Sequence, residues 1–197
     1  IEWYRTNASY RDIMADTQGM VQAAARACGI DQLRHGELTS DPFGEWEYLS
    51  VPEAFTRYTG IDLMATIGPD DRNPDVALLA PLARAQGFHV ADDDRWDDVF
   101  FKIFLEKIEP NLGVGVPTIL YDYPISMAAL SRPKAEDPRL AERFELYICS
   151  LELANAFGEL TDAGEQLRRF EADMDLKEQL YGERYPIDED FLSALAA

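Results

Sequence analysis

From Ser9 to Cys28 the side chains Tyr10, Ile13, Met14, Thr17, Met20, Val21 and Ala24 recur at steps of three and four, which predicts one long helix with a buried face, ended by Gly29. Residues 31–50 show no clean period and read mostly as loop, with Trp46-Glu47-Tyr48-Leu49 as a short strand. Ser50 ahead of Val51-Pro52-Glu53 supplies an N-cap, a proline near the start and an acid for the positive helix end; this predicts a helix through Tyr58, stopped by Gly60. A helix over 74–86 turns Val76, Leu79, Ala80, Leu82 and Ala83 inward. Asp92 to Asp94 cap the next, which sets Trp96, Val99, Phe100, Ile103, Phe104 and Ile108 on one face.

After Pro110 the pattern changes. Residues 117–123, 144–149 and 151–160 are rich in β-branched and aromatic residues or alternate in polarity, and predict three strands. Thr161-Asp162 followed by Glu165 opens a helix that carries Leu167, Phe170 and Met174 to about Tyr181, and Ile187-Asp188 introduces a last helix to Ala197. The fold class expected is α+β: an antiparallel sheet, formed by Glu2 to Arg5 and the second half of the chain, flanked by helices, in one domain over 1–197, with a helical segment at about 9–110 and sheet and helices at about 111–197.

Composition narrows the function classes. Of 197 residues, 47% are hydrophobic and 28% charged, as in folded soluble domains. Thirty-seven acids against 18 bases leave a net charge of -19, which argues against non-specific binding to a phosphate backbone. Cys28 and Cys149 stand far apart, no CxxC is present, and the histidines are His35 and His89 alone; neither a disulfide framework nor a zinc site is expected, and the compartment expected is the cytoplasm. No run approaches the ~18 apolar residues of a membrane helix. The chain opens on Ile1-Glu2-Trp3-Tyr4-Arg5 without Met, so it is expected to be part of a longer protein.

The densest cluster of candidate chemistry is Glu145, Glu152, Asn155, Phe157 and Glu159. On a strand Asn155, Phe157 and Glu159 share a face, and an acidic sheet face asks for a cation, either Mg²⁺ on phosphate oxygens or an ammonium group. A half-exposed strand with alternating charge gives the same spacing. Glu2 and Tyr4 alternate likewise. Gly113-Val114-Gly115 lacks a following Lys-Ser/Thr and reads as a turn, and Asp92-Asp93-Asp94 reads as a helix start.

Arg143-Phe144-Glu145-Leu146-Tyr147, Glu152-Leu153-Ala154-Asn155-Ala156-Phe157-Gly158-Glu159-Leu160-Thr161-Asp162 and Arg169-Phe170-Glu171 resemble the region between motifs 2 and 3 of class II lysyl-tRNA synthetases. Pro117-Thr118 through Tyr121-Asp122-Tyr123-Pro124 is similar to the preceding strand, and Glu2-Trp3-Tyr4-Arg5 to the end of motif 2. Ala128-Ala129-Leu130, Asp137-Pro138-Arg139, Thr161 and Tyr185-Pro186-Ile187-Asp188-Glu189-Asp190 most resemble the elongation factor P lysine ligases of that superfamily; Ser150 departs from their usual glycine.

The resemblance implies an enzyme that uses ATP and Mg²⁺ to activate lysine or (R)-β-lysine as an adenylate and passes it to a lysine side chain of elongation factor P, without tRNA. It implies that Glu145 and Glu152 meet ATP and its metal, that Asn155 receives the substrate carboxylate, that Phe157 walls the pocket and that Glu159, Glu2 and Tyr4 receive the distal ammonium. The motif 2 and motif 3 arginines fall outside these residues, so no catalytic residue is assigned, and the catalytic domain is expected to be incomplete here. A homodimer is expected for the full-length protein. A lysyl-tRNA synthetase and a non-catalytic synthetase-like binding module remain the alternatives.

Overall fold

The computed structural model describes residues 1–68, 72 and 74–196. Helix α1 (Tyr10–Cys28) starts at Ser9, whose hydroxyl accepts the Asp12 N–H while the Asp12 carboxylate accepts the Ser9 N–H, and it ends at Gly29 in the left-handed region. A hairpin, β1 (Leu33–His35) with β2 (Leu38–Ser40), stands apart from the main sheet. Strand β3 (Glu47–Ser50) runs into α2 (Val51–Thr59), which Ser50 and Glu53 cap in the same reciprocal way. Two further helices follow, α3 (Val76–Ala85) and α4 (Trp96–Ile103), and α4 continues into a π-helical turn, Phe104–Ile108. Then come β4 (Thr118–Pro124), β5 (Leu140–Ile148), β6 (Leu151–Phe157), α5 (Ala163–Tyr181) and α6 (Glu189–Leu195). The last helix, expected to run to Ala197, ends at Leu195 with Ala196 as its C-cap; Ala197 lies outside the described residues.

The main sheet has the order β3-β4-β5-β6. It is mixed, because β3 joins β4 in parallel while the other pairs are antiparallel; the purely antiparallel sheet expected from sequence is corrected in that respect. The first half of the chain thus contributes a strand, since Leu49 is an apolar residue that packs into the core beside Leu120. The expected strand at Glu2 to Arg5 is not formed. A strand exists through its ladder to a neighbour, and among the described residues none pairs with this segment.

Helices cover both faces of the sheet. On one, Tyr10 and Met14 of α1 pack against Ile119, Phe144 and Leu146. On the other, Phe55, Phe100 and Trp96 pack toward Leu120, Tyr123 and Tyr147. An aromatic column crosses this second layer, with ring centroids 4.7 Å apart at Phe55–Phe100, 5.7 Å at Phe100–Phe104 and 6.5 Å at Phe104–Tyr147. In α1 the residue turned to the core is Ala25 and not Ala24, which is exposed.

Gly113 and Gly115 have positive φ, as a turn requires. At Gly113 a Cβ would lie 2.5 Å from the Tyr147 carbonyl carbon and oxygen, because the turn passes directly against β5. Gly113→Ala is therefore expected to cost about 3 kcal/mol through strain and overpacking. Thermal unfolding followed by circular dichroism should show this as a midpoint lower by about 6–12 °C.

Candidate active site

Simple alternation along β6 places Glu152 and Asn155 on opposite faces, because they are three residues apart. The structure brings both to one face with a bulge. Asn155 pairs with Glu145 and Ala154 with Leu146, but Glu152 pairs with Tyr147, so Leu153 is skipped. Glu145 and Tyr147 share a face of β5, and their partners Asn155 and Glu152 therefore share it too. A second bulge lies in β4 between Tyr121 and Tyr123, at Asp122, which has φ 59°. It sends Asp122 toward α1, where it accepts from the Tyr10 hydroxyl at 2.7 Å and pairs with Lys134, and it turns Tyr123 toward Glu145.

Tyr123, Glu145, Tyr147, Glu152 and Asn155 line a cavity of about 420 Å³ between the sheet and α4. Its floor is Glu145, which is 5% exposed. One carboxylate oxygen accepts from Arg143 Nη2 at 2.6 Å, and the other accepts from the Tyr123 and Tyr147 hydroxyls at 2.5 and 2.6 Å. Burial foremost, and then the Glu145 charge, push both phenols far above their ordinary pKa, so they stay protonated and keep donating. Glu152 and Glu109 look into the same cavity. Both carboxyls are raised, first by burial and next by the charge on Glu145; Arg143 works against the rise at Glu152. Glu109 reaches the cavity because the π-helical turn at the end of α4 carries the chain round to it.

A second group, with none of its members in the lining of that cavity, is formed by Glu2, Tyr4 and Glu159. The Tyr4 hydroxyl donates to Glu2 Oε1 at 3.1 Å. That bond, followed by the charges of Glu2 and Glu159, raises the Tyr4 pKa, while Glu159 is raised by burial and then by Glu2. Glu2, Tyr4 and Glu159 are thus near neighbours although 155 positions separate Tyr4 from Glu159. Strand β6 ends at Phe157, two residues short of Glu159; beyond it the Gly158 N–H donates to the Glu142 carbonyl at 2.7 Å and Glu159 forms an isolated bridge with Ser131. A Cβ at Gly158 would lie 2.4 Å from a Glu142 carboxylate oxygen, so a side chain there would require the end of the Glu142 side chain to shift. Phe157, half-buried and in register with Arg143, stands between Asn155 and Glu159 in sequence.

The donor set suits a hard divalent cation shared with phosphate oxygens. Three donors reach Glu145, which has about four lone-pair positions, so one direction remains for a metal, and Glu152 supplies a second carboxylate. Among the described residues no group of three or more His, Cys, Asp or Glu side chains is arranged to hold a metal without such help. Sequence reasoning passed over Arg143, Tyr123, Tyr147 and Glu109 as site residues. Arg143 was accessible to it, because it stands two residues before Glu145 on the same strand face. No described helix is long and apolar enough to cross a membrane.

The family model for class II tRNA synthetases (D, K and N) matches residues 1–196. A lysine–tRNA ligase of Staphylococcus saprophyticus is 35% identical over 196 residues, covering 99% of this chain and 38% of the relative. An elongation factor P–(R)-β-lysine ligase of Haemophilus ducreyi is 36% identical over 197 residues, covering 100% of this chain and 53% of the relative. A lysine–tRNA ligase of Dehalococcoides mccartyi is 35% identical over 198 residues, covering 100% of this chain and 38% of the relative. The chain thus spans between about two fifths and half of the length of these relatives.

Proposed function

This chain belongs to the class II tRNA synthetase family, and we propose that it forms part of a site for ATP-dependent activation of lysine or (R)-β-lysine as an aminoacyl-adenylate, for transfer to a lysine side chain of elongation factor P. The observation that carries this is the gathering of two acidic groups. One, Glu145 with Glu152, lies in the cavity. The other joins Glu159 to Glu2 and Tyr4 from the far end of the chain.

In this reading Glu145 and Glu152 would hold Mg²⁺, which when bound would supply charge neutralisation for the ATP phosphates. The amino acid carboxylate attacks the α-phosphorus and pyrophosphate leaves. The Asn155 amide binds the carboxylate, Phe157 walls the pocket, and Glu159 and Glu2 receive the distal ammonium. A neutral amino acid leaves those acids unpaired, which is the basis of selection for a cationic side chain. Transfer to elongation factor P rests on Ala128-Ala129-Leu130, Asp137-Pro138-Arg139 and Thr161, the residues that set this chain apart from the synthetase pattern. Transfer to tRNA is the second reading, favoured by lysine–tRNA ligase relatives at about the same identity.

The test incubates the full-length protein with ATP, Mg²⁺, labelled lysine or β-lysine and a cell extract, and follows acid-precipitable label through ribonuclease. Label that survives on a protein of elongation factor P size is the expected result. Label lost to ribonuclease transfers the assignment to tRNA, and no label in either form leaves a non-catalytic binding module.

A further inference from the structure

Arg143 is held more firmly than a site arginine needs to be for charge alone. Its Nη2 donates to Glu145 Oε1 at 2.6 Å, its Nη1 donates to the Met127 carbonyl at 2.6 Å, and its guanidinium lies 4.5 Å from the centre of the Tyr123 ring. Glu145 is itself fixed by two phenols. With both terminal nitrogens and the ring face engaged, the plane of the guanidinium and the direction of its Nε–H are set. Nε donates to Asn155 Oδ1 at 3.3 Å across the strand pair.

An asparagine amide carries an acceptor at one end and two donors at the other, and the two ends can exchange by a half-turn. Donation from Arg143 to Oδ1 removes that freedom. Asn155 is exposed toward the cavity, and among the described residues its amide nitrogen donates to no protein group. We infer that Arg143 is a positioning residue for the carboxylate end of the amino acid: pinned by Glu145, Met127 and Tyr123, it fixes the Asn155 amide so that its two N–H donors, and not its oxygen, face the substrate carboxylate. The inference rests on the proposed function, which gives Asn155 that carboxylate, and adds how the amide is aimed.

The test measures binding to the full-length protein by calorimetry without ATP, using lysine and cadaverine, which is lysine without its carboxylate. Arg143→Lys keeps a cation beside Glu145 but cannot also reach Asn155 with the same fork geometry. It is expected to weaken lysine about tenfold and cadaverine less than twofold, with an unchanged melting temperature. Arg143→Gln is measured alongside, and either folded variant decides. In an Asn155→Ala background, where the lysine preference is already lost, Arg143→Lys should add nothing. Equal weakening of both ligands, no weakening of either, or a full additional loss in the Asn155→Ala background overturns the inference. Wild-type protein that binds lysine no better than cadaverine overturns the role of Asn155 in the proposed function, and the inference with it.

Discussion

Glu159→Gln is expected to lower kcat/KM for lysine in ATP–pyrophosphate exchange by about 10²-fold or more: Glu159 is exposed in the free chain, bound lysine would cover it, and removing one partner of a charge pair so desolvated costs about 2–5 kcal/mol. The loss should appear mainly as a raised KM for lysine. The amide keeps the shape of the side chain but offers no charge to the ammonium group. The pH profile carries the sign of the same argument. Burial, and then the Glu2 charge, raise the Glu159 carboxyl above its ordinary value, so it takes up a proton at a higher pH than a free glutamate. Lysine's own ammonium stays charged there, with a pKa of about 10.4. Log kcat/KM for lysine therefore falls as pH drops through the raised range. Glu2→Gln removes one cause of the rise and is expected to move this acid limb to lower pH. A Glu159→Gln protein that keeps a third of its activity would sink the assignment.

The helices were legible because their signals are local. Ser9 with Asp12 and Ser50 with Glu53 form reciprocal caps in the structure, and Gly29 and Gly60 close the helices in left-handed geometry. Strands β4, β5 and β6 were legible for a similar reason, although β5 begins at Leu140 and β6 ends at Phe157. What escaped depends on partners distant in sequence. Whether residues 47–50 join the main sheet is decided by a pairing with residues 118–121, and its parallel sense by where the chain returns. Asp92 to Asp94 were read as the cap of α4, but the N-cap is Arg95; Asp94 instead accepts from the Ala91 N–H and pairs with Lys102.

The site was half legible. Acids and an amide at 145, 152 and 155 can be picked out by type, but alternation assigns Glu152 to the wrong face, and only the skipped Leu153 corrects it. Alternation likewise cannot foresee Tyr123 reaching Glu145, because the left-handed Asp122 changes the parity of β4 in mid-strand. Both irregularities sit beside the cavity, where a regular ladder would have aimed the polar groups at α1. The meeting of Glu2 and Tyr4 with Glu159 came from family resemblance and from no local rule.

Glu145→Gln separates the structural work of this carboxylate from the metal binding proposed for it. The side chains of Glu145 and Arg143 are 7% and 19% exposed, and breaking such a buried pair by neutralising one member costs about 3–5 kcal/mol, because the other charge is left behind. The melting temperature of Glu145→Gln is thus expected to fall by about 6–20 °C. Removing the stranded cation as well, Arg143→Met with Glu145→Gln, leaves an amide oxygen for the Tyr123 and Tyr147 hydroxyls and should recover most of that loss. Metal binding should not follow stability. A cation site left with Glu152 alone loses one of its two carboxylates in the single and the double variant alike, so Mn²⁺ binding read by electron paramagnetic resonance in the presence of ATP should weaken at least tenfold in both. If the double variant regained Mn²⁺ affinity along with its melting temperature, the carboxylate would be serving the fold alone, and the metal would have to be held elsewhere.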